Sequence, residues 1–86
     1  MHEASLMRGL MRKILEVAEA EQASRVTEIE VQLGALSHMS PEHFQEHFDV
    51  SSKGTIAEGA RIEAVLETDL QSATATEVIL RRIEVE

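Results

Sequence analysis

Through the first stretch of the chain, apolar residues keep returning to one side of a helix. Wound at about 100° per residue, Ala4, Leu6, Met7, Leu10, Met11, Ile14, Leu15, Val17 and Ala18 share one half of the cylinder, with Arg8, Arg12, Glu16 and Glu19 on the other. This predicts an amphipathic helix that fades at Glu21 to Ser24. The period then changes to two. Between Val26 and Leu33, the residues Ile29, Val31 and Leu33 alternate with Glu28, Glu30 and Gln32, which predicts a half-buried strand. Gly34 breaks the strand. Ser40-Pro41 then offers an N-cap followed by the residue best suited to a first helical position, so a short second helix is expected, with Phe44 and Phe48 at i, i+4 and an end near Gly54. Alternation resumes from Arg61 to Glu67 through Ile62, Ala64 and Leu66. Val78, Ile79, Leu80, Ile83 and Val85 place apolar groups on both sides of a last strand, expected to be the more buried of the two. Between them, residues 68–76 (TDLQSATAT) are small and polar without a period, and read as a loop closing a two-strand hairpin.

The order α-β-α-β-β predicts an α+β domain, two helices packed on a three-stranded sheet, because that arrangement buries every apolar face with the fewest layers. Glu28 and Glu30 fall on the outer side of the first strand and read most simply as a solvated edge that discourages aggregation, with contact to a basic partner as the alternative. The 86 residues make a single domain, 1–86, too short for a second core and too small to frame a large catalytic cavity, so no enzyme is expected. Sixteen acidic against eight basic residues give a net charge of −8, the wrong sign for nucleic acid or an anionic membrane. The absence of cysteine excludes a disulfide framework, a thiolate zinc site, an iron-sulfur cluster and a thiol nucleophile within these residues. Any metal must be held by nitrogen and oxygen. The start MHEASLMRGLMRK lacks the pattern of a secretory leader, so the expected compartment is the cytoplasm.

Three places offer such donors. At Met1-His2-Glu3, the α-amine, the His2 amide nitrogen and the His2 imidazole form fused chelate rings on one ion, and Glu3 adds an oxygen donor. Deprotonated amide in a square of nitrogens suits nickel(II) or copper(II), whose tetragonal preference offsets the amide deprotonation better than zinc can. The first N–H groups of a helix have no intrahelical partner, which frees the His2 amide for this role. The competing reading is a frayed terminus with Glu3 simply complementing the helix dipole. His43-Phe44-Gln45-Glu46-His47 satisfies the H-x-x-E-H pattern of inverted zinc metallopeptidases. A catalytic zinc needs a third ligand and a cleft, however, so the preferred reading is a helix with Phe44 and Phe48 inward and Glu42, His43, Glu46 and His47 in water. A weak, adventitious or regulatory metal site is the remaining alternative. His38, in the loop before the second helix, reads as an exposed loop histidine.

Several fragments coincide in order: MHE at the terminus, VTEIEVQLGALSHMSPEHF from Val26 to Phe44, KGTIAEGA from Lys53 to Ala60, and IEVE from Ile83 to Glu86. Together they resemble the HypA/HybF family of nickel metallochaperones in nickel-iron hydrogenase maturation. The similarity covers residues 1 to about 67 and about 76 to 86. It implies nickel binding at Met1, His2 and Glu3, a fold of two helices on a three-stranded sheet, a HypB-like GTPase partner and delivery toward the hydrogenase large subunit. In that family a zinc domain with two C-x-x-C pairs is inserted between the last two strands. This chain has only residues 68–76 there, so no structural zinc is expected. The departure fits a short paralogue, a shortened form or a divergent member. A metal-free interaction or assembly module that keeps the fold, with a dimerising sheet edge, is the rival reading.

Overall fold

The computed structural model describes residues 3–86, with Glu3 described in its backbone only. Its elements are α1 (Glu3–Ala20), β1 (Val26–Leu33), α2 (Pro41–Ser51), β2 (Arg61–Leu66) and β3 (Val78–Val85). The sheet order is β2-β1-β3, with β1 parallel to β2 and antiparallel to β3. A parallel neighbour requires a crossover, and α2 supplies it by carrying the chain from the end of β1 back to the start of β2. The last two strands therefore flank β1 and form no hairpin with each other. Residues 67–77 instead pass across the end of β1, where Glu67 N–H donates to Leu33 O and Gly34 N–H donates to Glu77 O, both at 2.8 Å.

Both helices cover one face of the sheet. Met7, Leu10, Met11, Ile14 and Ala18 of α1 and Phe44 and Phe48 of α2 bury against Val26, Ile29, Val31 and Leu33 of the central strand. Leu15, Ile62, Ala64, Val78, Leu80, Ile83 and Val85 close the core from the sides as half-buried groups. The last strand is more covered than β2, as expected, but for a different reason. A register shift between Glu30 and Val31 leaves Arg81 unpaired, a β-bulge that returns Val78, Leu80, Ile83 and Val85 to a single face. A second shift, between Val26 and Glu28, does the same for Val26 and Ile29.

One end of the sheet gathers the elements of interest. Leu33, Leu66 and Val78 stand side by side there, at the end of β1, the end of β2 and the start of β3. The loop into α2 leaves from that end, and the first turns of α1 lie against it. No described helix is long and apolar enough to cross a membrane.

Candidate metal centre

Met1 and His2 lie outside the described residues, and Glu3 opens α1. What the fold does show is the surface that the start of α1 meets. Leu6, three residues into the chain from Glu3, lines a cavity of about 250 Å³ with Leu36, Ser37, His38 and Thr76. His38 is exposed, as expected of it, but its backbone adopts φ 61°, the left-handed region that costs a non-glycine residue energy. The turn thereby drops Ser37 and Met39 inward, both buried, on either side of it. The Ser37 hydroxyl has no hydrogen-bond partner among the described residues.

The second histidine motif is more structured than its sequence pattern indicates. Ser40 caps α2, its Oγ accepting from the His43 N–H at 3.1 Å, and Pro41 occupies the first turn. Phe44 and Phe48 then point into the core, their rings 6.2 Å apart. That rotation sets Glu42 and Glu46 in water but leaves His43 and His47 half-buried at the helix flank, not solvent-facing. Their Nε2 atoms are 3.1 Å apart and their ring centroids 4.7 Å apart. Each imidazole also has an interaction beyond this one. No group of three or more metal-capable His, Asp or Glu side chains occurs among the described residues.

A third cluster, which the sequence pattern does not single out, occupies the sheet face away from the helices. Glu28 and Glu30 do not form a solvated edge, because β1 is the central strand; their side chains are 22% and 26% exposed. They surround Arg82, which also pairs with Glu63 and Glu84. The register explains the demand: Glu28 stands opposite Glu84, and Glu30 opposite Glu63, like-charge pairs that repel unless a cation lies between them. The hydrogen bonds that Arg82 donates to Glu28 and Glu30 raise its pKa above the usual arginine range, so the guanidinium stays charged wherever the protein is folded. Arg82→Gln is expected to destabilise the domain, and more so at low than at high salt, because the four carboxylates then repel one another unscreened. Chemical denaturation at two ionic strengths checks this; an equal loss at both would show that Arg82 acts by packing alone. The signal for this cluster was the Arg81-Arg82 pair, two consecutive charges that interrupt strict alternation at the bulge.

With the geometry in view, comparison with known proteins is informative. Residues 1–84 match the family model described as "Hydrogenase/urease nickel incorporation, metallochaperone, hypA". The hydrogenase maturation factor HypA of Archaeoglobus fulgidus is 46% identical over 67 residues, 78% of this chain and 61% of that protein. The corresponding factor of Methanothermobacter thermautotrophicus is 41% identical over 61 residues, 71% of this chain and 50% of its own length. By sequence, then, the chain spans less than two thirds of these curated relatives. The solution structure of the nickel metallochaperone HypA from Helicobacter pylori superposes with a TM-score of 0.78 at 18% identity, covering 99% of this chain and 97% of that one. At that identity the likeness speaks for the fold.

Proposed function

Because this chain belongs to the HypA family, we propose that it is a nickel-binding accessory protein that captures nickel(II) at Met1, His2 and Glu3 and hands it on by protein contact, performing no covalent reaction. The observation that carries this reading is the family match beginning at residue 1 together with a donor set suited to nickel at that point. The terminal amine and the His2 amide and imidazole nitrogens fill three positions of a square, and Glu3 provides the fourth donor.

By family analogy the partners are a HypB-like GTPase and the hydrogenase large subunit, met in the cytoplasm. The exposed Arg8 and Arg12 on the outer side of α1 give an acidic partner a surface near the metal end. Residues 68–76 occupy the position of the family's zinc insertion, and with no cysteine in the 86 residues the domain is read as folding without structural zinc. The test is complementation. In a host lacking its own HypA-type protein and grown at limiting nickel, this chain with Met1 as its terminus is expected to restore nickel in the hydrogenase large subunit, and His2→Ala to fail. Equal restoration by both would replace nickel delivery with the docking-module reading.

A further inference from the structure

The two imidazoles on α2 meet a geometric requirement for holding one ion. Two nitrogens bound to one ion at about 2.0–2.1 Å lie about 2.9 Å apart when the angle between them is a right angle and about 3.3 Å apart at the tetrahedral angle. The His43 and His47 Nε2 atoms are 3.1 Å apart, inside that interval. Spacing of four along an 11-residue helix places them one above the other, the arrangement by which helical histidine pairs chelate metals. The rings are held rather than loose: Ser40 caps the helix beside His43, and Phe44 and Phe48, next in sequence to each histidine, are 0% and 1% exposed. Beyond His47 the surface opens into a shallow cavity of about 290 Å³ lined by Glu46, His47, Val50 and Ser51, which gives an ion a way in.

We propose that His43 and His47 form a second metal-binding position, a two-imidazole chelate for a divalent first-row ion of the zinc, nickel and copper class, with donors distinct from Met1, His2 and Glu3. Without metal, the two Nε2 atoms share a hydrogen bond whose direction is set by the tautomer. For both Nε2 lone pairs to face an ion, the proton between them must pass to a ring Nδ1 or to water. Imidazole donors select this class over magnesium and calcium, which take oxygen. A chelate of two imidazoles is a weak one that exchanges its ion readily.

Zinc(II) is the probe that separates the two sites, because it does not favour the amide deprotonation on which the terminal chelate depends. Zinc is titrated into the His2→Ala protein while the imidazole proton signals are followed by NMR. One zinc per chain is expected, with the signals of His43 and His47 moving together and that of exposed His38 staying in place. His2→Ala combined with His47→Gln is expected to bind at least ten-fold more weakly, with an unchanged far-ultraviolet circular dichroism spectrum showing that α2 remains folded. Equal affinity in the two variants, or movement of the His38 signal alone, would overturn the proposal. So would zinc binding that appears only when His2 is present, since the pair would then belong to the terminal site.

Discussion

Replacing Phe44 with alanine is expected to remove about 3–5 kcal/mol of stability, the range for deleting a buried phenylalanine. Phe44 is 0% exposed and belongs to the one buried cluster that α2 shares with α1 and the central strand, so its removal leaves a cavity in the core. A domain of 86 residues has on the order of 4–13 kcal/mol in total, so the loss is from about a quarter to the whole of the folding free energy. Phe44→Leu keeps most of the volume and should cost far less, about 1.5 kcal/mol or below. With no tryptophan or tyrosine in the chain, urea unfolding is followed by far-ultraviolet circular dichroism. A loss under about 1 kcal/mol for Phe44→Ala would mean that α2 is not anchored through this ring.

The second large effect is expected at Gly34, for a steric reason. A Cβ placed there would lie 2.6 Å from Thr74 O and from the Ala75 carbonyl carbon, with the Ala75 oxygen closer still. These are backbone atoms already fixed in place: Gly34 N–H donates to Glu77 O, and Leu36 N–H to Ala75 O. A side chain in the way can rotate aside, but a carbonyl held by hydrogen bonds cannot. Gly34→Ala should therefore cost about 3 kcal/mol, the upper end of overpacking penalties, as residues 74–77 are pushed off the end of β1. Gly9 is the counterpart within α1, where an added Cβ meets nothing within 4 Å. Gly9→Ala should stabilise by about 0.5–1 kcal/mol through helix propensity. If the two substitutions gave similar changes in unfolding midpoint, the close approach at Gly34 would be refuted.

The order of elements and most of the core were readable from periodicity, because both helices and β1 have one apolar face and the Ser40-Pro41 start is locally encoded. Strand pairing was not readable. Alternation states which residues face inward, but it does not state which strand is central, and residues 68–76 looked like a hairpin turn although β2 and β3 lie on opposite sides of β1. The two bulges were present as parity breaks, three residues from Val26 to Ile29 and from Leu80 to Ile83, and these appeared as apolar groups on both faces. The same misplacement of β1 made Glu28 and Glu30 look like an edge. Among the candidate ligands, the spacing of His43 and His47 was visible. Their approach to 3.1 Å was not, since it depends on how far Phe44 and Phe48 turn the helix into the core. The chain start Met1-His2-Glu3 was legible as donor chemistry and as family resemblance; its site geometry lies outside the described residues.

The central claim is that nickel is held by the terminal amine and His2, and a titration of nickel(II) into protein whose chain starts at Met1 with a free amine tests it most directly. Heat and the visible ligand-field band are read together, beside His2→Ala and a form extended at the amino terminus. One nickel per chain with a square-planar band, absent from both controls, is the predicted result. The same band at the same stoichiometry in the extended form, where no free amine stands next to His2, would contradict it.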